Sequence, residues 1–344
     1  MDYKVTIGIP VYNTEKYIRR AMESVMAQTL QSVEILIYND GSSDSSIDII
    51  EEYRQSHSCG KDIHIINQLG NMGVGYARNC LVDNAQGRYI YFLDADDEIV
   101  PDTLEKLYTA AQTIDADLVY GSYQRVEDFC NGNNTVEFRY PRLTFSNEDS
   151  FASYVYRKYD GIQAPIWNIL INVDFIRKCG VRFPAINFWE DFVVTMFLPT
   201  YAVKVILLSD VTYVYHSRYG SLSNLQQRSN IDRGEVESVV NAMTLQKQKC
   251  INYINKVYFS RLYNKVMMTH FYMACTILKY RAIIIPPFTN AEIRDILDAP
   301  LPVELNFPYY RILPLNFSLF LLGKLPAHLS VLLMKIVAKR RRLL

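Results

Sequence analysis

The stretch YIYFLDADDEIVP, residues 89–101, decides the fold class of this chain. Its first five residues, Tyr89 to Leu93, are apolar or aromatic without interruption, which is typical of a strand that is buried on both faces of a sheet. The run ends at three carboxylates, Asp94, Asp96 and Asp97, which repel one another and are costly to remove from water. The stretch therefore predicts a buried strand whose carboxyl end faces something that compensates this negative charge.

The residues around this strand alternate between strand and helix patterns. We expect strands at 5–10, 33–40, 62–67, 88–93 and 116–123, and helices at 15–28, 43–55, 73–85 and 101–112. This order predicts an α/β fold with a mostly parallel sheet and helices on both faces. Polar clusters follow three of the strands, at 12–13, 39–44 and 94–97. Because ligands of such sheets bind beyond the carboxyl ends of the strands, we expect a binding site there.

The second part of the chain has a different pattern. Residues 165–184 predict a strand followed by a helix, 188–202 a helix, and 204–209 and 211–217 two further strands. From about residue 231 to residue 285 the pattern is helical. We therefore expect three regions: a first domain over 1–225, with two halves that meet near residue 130, a C-terminal helical region over 226–300, and a tail over 301–344.

The composition is that of a folded protein, because 49% of the 344 residues are hydrophobic and 21% are charged. The formal net charge is zero, but residues 1–130 contain 21 acids against 10 Lys and Arg. The six cysteines are scattered without a CxxC pair, which predicts reduced thiols in a cytosolic protein. The N-terminus has the pattern of a first strand and not of a signal peptide.

The tail combines two apolar blocks, within residues 312–338, with the basic end KRRRLL. Residues 311–344 hold seven Lys or Arg and no acid. Neither block reaches the ~20 residues that a spanning helix needs, and we expect an interfacial helix on an anionic membrane surface. The alternative is a terminal helix that packs on the protein's own core. Because the basic cluster adjoins apolar blocks and not aromatic platforms, we do not expect a nucleic-acid partner.

Asp94 and Asp96 are two residues apart, so that in an extended chain both carboxylates lie on one side. Two hard oxygen donors at the end of a strand suit Mg²⁺ or Mn²⁺, which completes its coordination with substrate phosphates. The alternative is an acidic surface turn that caps the helix beginning at Pro101. Asp97 and Glu98 fit this alternative best.

Four segments, TIGIPVYNTEKYIRRAMESVMAQT, EILIYNDGSSDSS, GNMGVGYARN and YFLDADD, follow one another along the chain. Together they resemble the family 2 glycosyltransferases, over roughly residues 3–220. The resemblance implies an inverting enzyme of the GT-A fold, which is Rossmann-like, with a divalent metal ion and most often a UDP-sugar donor. It also implies that the half before residue 130 binds the nucleotide-sugar and that the half after it binds the acceptor.

The resemblance implies donor-site roles for residues at the strand ends. These are Pro10, Val11, Tyr12, Asn13, Glu15, Asp40, Gly73, Arg78, Asp94, Ala95 and Asp96. The ring of Tyr12 can stack on uracil, and Asp40 would accept the ring N–H. Gly73 would let the backbone approach the donor, and Arg78 would bind the base or a phosphate. The alternative for Asp40 is a helix cap or Asx turn, and the alternative for Arg78 is a solvated helix arginine.

The resemblance also implies metal ligands. In the family's pattern Asp96 is the direct ligand and Asp94 lies near the ribose and the metal. His216 stands where some members place a third ligand, and a histidine with two aspartates favours Mn²⁺ over Mg²⁺. Many members have arginine there, so the alternative is a satisfied histidine at a strand end. Arg218 and Ser221, on the same loop, would meet the diphosphate as a closing lid.

The segment FWEDF holds a second acidic pair, Glu190 and Asp191. The resemblance implies that Asp191 is the catalytic base and that Glu190 supports it. A neighbouring acid and partial burial would raise the pKa of this base towards a useful range. The alternative is the ordinary enrichment of acids at a helix start.

Trp167 and Asn168 resemble a WN pair that precedes the acceptor side in many relatives. Tryptophan stacks on sugar faces, but a core role for Trp167 is an open alternative.

The sequence and this resemblance together thus predict a metal-dependent inverting glycosyltransferase on the cytoplasmic side of a membrane, with a glycan or polyprenyl-diphosphate-linked acceptor. The resemblance alone implies that the protein is bacterial and acts in surface polysaccharide synthesis. A polyprenyl-phosphate sugar synthase and a non-catalytic scaffold that binds sugar nucleotides are the alternatives. The donated sugar, the acceptor hydroxyl and the oligomeric state are not encoded in any motif.

Overall fold

The computed structural model describes residues 3–127, 134–157, 162–186, 188–217, 228–298, 313–341 and 343. The chain divides into two compact units. The first comprises Met1–Phe151 and Ala164–Ser221, and the second comprises Ala152–Gln163 and Leu222–Leu344. The residues that follow the predicted domain boundary at 225, including the tail, belong to the second unit.

A mixed sheet forms the centre of the first unit. Its ten strands, counted over the described residues, are β1 (Val5–Val11), β2 (Val33–Asn39), β3 (Ile63–Asn67), β4 (Tyr89–Phe92), β5 (Glu98–Ile99), β6 (Leu118–Glu127), β7 (Asn134–Phe138), β8 (Leu143–Phe145), β9 (Ile169–Asn172) and β10 (Val205–Ser217). The helices up to residue 201 are α1 (Ile18–Met26), α2 (Ser46–Ser56), α3 (Val74–Asn84), α4 (Thr103–Gln112), α5 (Ser150–Arg157), α6 (Val173–Lys178), α7 (Glu190–Thr195) and α8 (Leu198–Tyr201).

The strands run in the order β3-β2-β1-β4-β9-β6-β10-β5, with β7 beside β6 and β8 beside β10. The first four are parallel to one another. Strand β9 is antiparallel to both β4 and β6, and β6 is parallel to β10, so six strands share one direction. The predicted GT-A architecture, with a mostly parallel sheet and C-terminal helices, is confirmed.

The apolar patterns place the core where the sequence predicts it. Every residue of β1 is buried except Pro10, which is half-buried, so both faces of this strand are covered. Every residue of β4 is buried as well. Helix α1 buries Ile18, Ala21, Met22 and Val25, which is the spacing of one helical face.

Two details differ from the sequence pattern. The predicted helix over 188–202 is two short helices, because Pro199 stands at the start of α8, where a proline is tolerated. The two strands predicted at 204–209 and 211–217 are one strand, β10, whose register with β6 shifts between Leu207 and Tyr213.

Helices dominate the second unit: α9 (Arg233–Cys250), α10 (Phe259–Tyr280), α11 (Asn290–Asp295), α12 (Leu313–Lys324) and α13 (Ala327–Arg340). Two short parallel strands, β11 (Ile231–Asp232) and β12 (Ile284–Ile285), pair with each other. Asp232 caps α9, and Thr289 and Glu292 form a capping box at α11. Within the described residues, no helix is both long enough and apolar enough to cross a bilayer.

Candidate active site

The loops after β1 and β2 are fastened to each other at the carboxyl edge of the sheet. The Asp40 N–H donates to the Val11 carbonyl over 2.9 Å. Asn13, in a left-handed conformation, accepts from the Ser43 N–H through its side-chain oxygen, and the Glu15 carboxylate accepts from the Ser45 N–H. Asn13 and Glu15 therefore shape this edge.

The residues predicted to bind the nucleotide base differ in which of their atoms a ligand can reach. Val11 is buried, so that it offers only its backbone to a ligand, and Pro10 is half-buried. The side chain of Tyr12 is exposed, at 47%, which leaves an aromatic ring accessible to a flat ligand. That these residues bind the nucleotide base stays a prediction.

Asp40 organises the start of α3. Its two carboxylate oxygens accept from the backbone N–H groups of Met72 and Gly73, each over 2.8 Å, and the residue is buried. Gly73 has φ +89°, a conformation that glycine adopts without strain, and it directly precedes α3. Because these N–H groups lie just before α3, the contacts are closer to the helix-cap alternative for Asp40 than to an Asx turn, and each oxygen keeps a second lone pair for a ligand.

Arg78 joins the two acidic motifs. Its guanidinium donates to Glu190 through one terminal nitrogen and to Asp94 through the other, the latter over 3.0 Å. Arg78 and Glu190 are buried, and Arg78 is therefore not the solvated arginine of the alternative. Burial disfavours its charge, but the carboxylates of Glu190 and Asp94 raise the pKa of Arg78 above its ordinary value. The DADD turn and the ED pair thus share one site.

Helix α3 approaches the segment before Glu190 closely. A Cβ at Gly75 would lie 2.2 Å from the carbonyl oxygen of Pro184, so that only glycine fits without a shift. One turn later, the Asn79 amide donates to the Phe183 carbonyl and accepts from the Phe183 N–H, both over 2.9 Å. Gly75 and Asn79 lie on the face of α3 that carries Arg78, and this spacing of three and four residues is the signal that could have revealed them.

Asp191 follows Glu190 in the first turn of α7 and is half-buried. Its carboxylate accepts from the Phe192 N–H over 2.7 Å. Burial and the neighbouring charge of Glu190 raise the pKa of Asp191 to about 7, although Arg78 opposes the shift. A carboxylate with this pKa can accept a proton near neutral pH.

Asp97 ties the DADD turn to β10. Its carboxylate accepts from the Tyr213 hydroxyl over 2.7 Å and from the His216 N–H over 2.8 Å. Burial and the charges of Asp96 and Asp94 raise the pKa of Asp97 well above its usual range. The surface-turn alternative for Asp97 is therefore wrong, because the residue is buried and holds a strand 116 residues away.

The predicted metal ligands are only partly arranged for an ion. No group of three His, Cys, Asp or Glu in the described ranges is placed to hold a metal. The Nε2 atom of His216 is 2.7 Å from a carboxylate oxygen of Glu98, which resembles the satisfied-histidine alternative. Arg20 donates to the backbone carbonyl of Asp96 over 2.6 Å and fixes the turn, while the Asp96 side chain stays half-buried.

The charge of the site nevertheless fits a cation. Asp94 interacts with both Asp96 and Asp191, and Arg78 contacts this group through Asp94. Burial raises the pKa of Asp94, and the charge of Asp96 adds to this shift in spite of Arg78. Asp94 and Asp96 offer hard oxygen donors, which are the ligands that Mg²⁺ and Mn²⁺ take. Ala95, between the two aspartates, is buried.

The predicted acceptor residues lie inside the sheet. Trp167 belongs to the hydrophobic core, where its ring stacks on Tyr213 with a centroid distance of 4.4 Å and an interplanar angle of 9°. The Asn168 amide donates to the carbonyls of Gly121 and Ser122 and accepts from the hydroxyls of Tyr91 and Thr212. The core alternative therefore describes Trp167. Asn168 is also buried, and its amide has no further donor to offer a glycan. Arg218 and Ser221 lie outside the described residues.

Comparison with known proteins identifies the class. The profile of glycosyl transferase family 2 matches residues 6–176. The chain is 29% identical over 232 residues to glycosyltransferase GlyA of Streptococcus pneumoniae, and this alignment covers 65% of the chain but 32% of GlyA. It is 31% identical over 247 residues to EpsH of Bacillus subtilis, covering 71% of the chain and 69% of EpsH.

Among solved structures, TarS 1–349 of S. aureus in complex with UDP-GlcNAc superimposes with a TM-score of 0.68. The two are 18% identical, and the match covers 93% of this chain and 90% of that one, which is a likeness of fold. Fold and site together define a glycosyltransferase of the GT-A class. The chain belongs to glycosyl transferase family 2.

Proposed function

We propose that this protein transfers a sugar, with inversion, from a nucleotide-diphospho-sugar to a hydroxyl of a glycan or a polyprenyl-diphosphate-linked acceptor. The observation that carries the proposal is the Arg78 bridge, because it joins the acid that follows β4 to the acid that precedes Asp191. A donor held at the carboxyl edge would then have its anomeric carbon near the base. A relative from Bacillus spizizenii, named poly(ribitol-phosphate) beta-glucosyltransferase, supports a polymer acceptor and with it a role in surface polysaccharide synthesis.

Asp191 is the base in this proposal. It accepts the proton of the acceptor hydroxyl while that oxygen bonds to the anomeric carbon and the bond to the diphosphate breaks. Because a free hydroxyl is a far weaker acid than a carboxylic acid, the proton moves late, when the attacking oxygen has already become acidic. One displacement on the face opposite to the leaving group inverts the anomeric centre. Glu190 supports Asp191 by raising its pKa and by holding Arg78.

Asp94 and Asp96 would hold the divalent cation, either Mn²⁺ or Mg²⁺. When bound, the cation would stabilise the negative charge of the leaving diphosphate. His216 would join as a third ligand only if it exchanged its contact with Glu98 for the metal. Arg20 and Tyr213 hold the turn that would carry the ion, by donating to the Asp96 carbonyl and to Asp97.

The UDP-sugar is the donor in this proposal. The TarS structure contains UDP-GlcNAc, and the exposed ring of Tyr12 at the carboxyl edge here offers a surface for uracil. Neither observation indicates which sugar is donated, since no motif marks the residues that would contact the sugar.

A panel of nucleotide-sugars with Mn²⁺, read out by hydrolysis of the donor, tests the proposal. We expect hydrolysis of at least one UDP-sugar, and UDP binding by calorimetry that depends on Mn²⁺ and is lost in Asp96→Ala. Asp83→Ala, at an exposed acid that pairs with Arg182, is the matched control. A panel without any hydrolysis would favour the scaffold alternative. Unaltered UDP affinity in Asp96→Ala would contradict the role of Asp96 as a metal ligand.

We also propose that the second unit contacts the cytoplasmic face of a bacterial membrane through α12 and α13. One set of their side chains, Leu319, Ser330, Val331, Met334 and Ala338, is buried, as the packing alternative for the tail predicts. Another set is apolar and exposed: Phe317, Leu321, Leu329, Leu332, Leu333, Ile336 and Val337. Lys335, Lys339 and Arg340 are exposed on α13 as well. Apolar and basic side chains together suit an anionic lipid surface.

Vesicle flotation tests this contact, with phosphatidylcholine vesicles that contain or lack phosphatidylglycerol. We expect binding to the anionic vesicles, and a loss of roughly tenfold or more in the double variant Leu332→Ser/Ile336→Ser, because two apolar side chains no longer enter the lipid. Leu245→Ser, at an exposed leucine of α9, is the control. Undiminished flotation of the double variant would place the membrane contact elsewhere.

A further inference from the structure

The two tryptophans of the chain, Trp167 and Trp189, have opposite surroundings. Trp167 is buried, with Tyr213 and Tyr215 stacked on its ring and the edge of Tyr123 against it. Trp189 is half-buried and directly precedes Glu190 and Asp191. Of the two, only Trp189 is partly exposed, and it stands next to the acidic pair in sequence.

The backbone of Trp189 is unusual. It has φ +66° and ψ +17°, the left-handed conformation, in which a bulky side chain is a genuine outlier. Asparagine or glycine would occupy this conformation with less strain. Strained residues of this kind cluster where the structure fixes a group for function. The backbone strain and the partial exposure of Trp189 are thus two independent observations that distinguish it from Trp167.

The neighbours of Trp189 hold its ring in place. Phe188, which is buried, meets it edge to face at a centroid distance of 6.0 Å, and Phe192 is tilted against it at 6.5 Å. Aromatic pairs at these distances are attractive. The ring of Trp189 is therefore supported by one residue on each side of the left-handed turn.

For a saccharide acceptor, the chemistry of the transfer places a carbohydrate ring beside Asp191, which stands two residues after Trp189. The acceptor hydroxyl must come within hydrogen-bonding distance of Asp191, so the sugar ring that bears it lies beside the residues that flank Asp191. The C–H face of a sugar ring packs on an indole, which is the largest aromatic face in proteins. We infer that Trp189 is the platform on which the acceptor saccharide stacks; this rests on the proposed function.

The two tryptophans make the test direct, because each can be removed alone. Trp167→Phe keeps Trp189 as the fluorophore, and Trp189→Phe keeps Trp167. Both proteins, with UDP and Mn²⁺ present, are titrated with the methyl glycosides of glucose, galactose, N-acetylglucosamine and N-acetylgalactosamine. We expect a saturable change of emission with at least one glycoside in Trp167→Phe, and none in Trp189→Phe.

A second variant separates stacking from folding. Trp189→Asn suits the left-handed backbone, which offsets the lost contacts with Phe188 and Phe192, so we expect urea unfolding at a midpoint close to that of the wild type. For transfer to the glycoside that gave the response, we expect its KM to rise about tenfold or more while the KM for the donor is unchanged. Trp189→Tyr, which keeps an aromatic face, should recover part of this loss.

The inference is overturned if Trp189 emission responds to none of the glycosides in protein that hydrolyses a UDP-sugar. It is also overturned if the response persists in Trp189→Phe, or if the KM for the glycoside is unchanged in Trp189→Asn. Protein that neither binds UDP nor hydrolyses a nucleotide-sugar would overturn the proposed function itself, and this inference with it.

Discussion

Replacement of Arg78 by methionine should destabilise the first unit strongly. Methionine keeps much of the side-chain volume but leaves Glu190 and Asp94 without their shared partner. The Glu190 side chain is 7% exposed and must be accommodated with little water, whereas the Asp94 side chain is 28% exposed and can be hydrated. Removing one partner of a buried pair costs about 3–5 kcal/mol, and we expect about 3 kcal/mol here because of this hydration.

The assay is urea unfolding followed by tryptophan fluorescence, since both tryptophans belong to the first unit. Arg88→Met is the matched control, because Arg88 pairs with Asp115 where the two side chains are 48% and 59% exposed. Exposed pairs of this kind contribute about 0–1 kcal/mol. Adding Glu190→Gln to Arg78→Met should restore part of the lost stability, because it removes the unpaired buried charge.

The bridge would be of no consequence to stability if Arg78→Met and Arg88→Met unfolded at the same urea concentration. An Arg78→Lys variant that behaves like the wild type in every respect would show that a single charge is enough. We expect instead that Arg78→Lys recovers only part of the stability that Arg78→Met loses. One ammonium group cannot reproduce the geometry in which two guanidinium nitrogens contact two carboxylates.

Two further predictions concern the proposed base, Asp191, and the buried amide of Asn168. The pKa of Asp191, raised to about 7 by burial and by Glu190, should place the acid limb of kcat/KM near neutral pH, with activity rising with pH because the base must be ionised; an acid limb near pH 4 would show an ordinary carboxylate. Asn168→Ala removes four hydrogen bonds inside the sheet and should cost about 3 kcal/mol in urea unfolding, whereas unchanged stability with a raised acceptor KM would return Asn168 to the acceptor site.

Local patterns predicted the parallel half of the sheet well. The apolar runs of β1, β2 and β4 can be recognised as buried strands from sequence alone. The buried face of α1 follows from the helical spacing of its apolar residues. The polar clusters at the strand ends also lie where parallel topology places them, because neighbouring parallel strands end at one edge.

Local sequence patterns did not predict the contacts between segments that are far apart in the chain. Arg78 reaches Glu190 across 112 residues, and the approach depends on a glycine, Gly75, whose role is visible only against the backbone of Pro184. Asp97 likewise holds β10 through a tyrosine and a backbone N–H that no motif marks.

Trp167 shows the other limit of sequence patterns. The same aromatic residue suits a sugar face or a core, and only its stacking on Tyr213 decides between the two.

The most direct test of the account is sugar transfer by Asp191→Asn. The amide keeps the shape of the side chain and its acceptor for the Phe192 N–H, but it cannot take a proton from the acceptor. We predict that transfer falls by roughly 10²–10⁴-fold while the Kd of the UDP-sugar stays within about twofold. Asp174→Asn, at an exposed acid in the first turn of α6, should transfer normally. Near-normal turnover by Asp191→Asn would contradict the account.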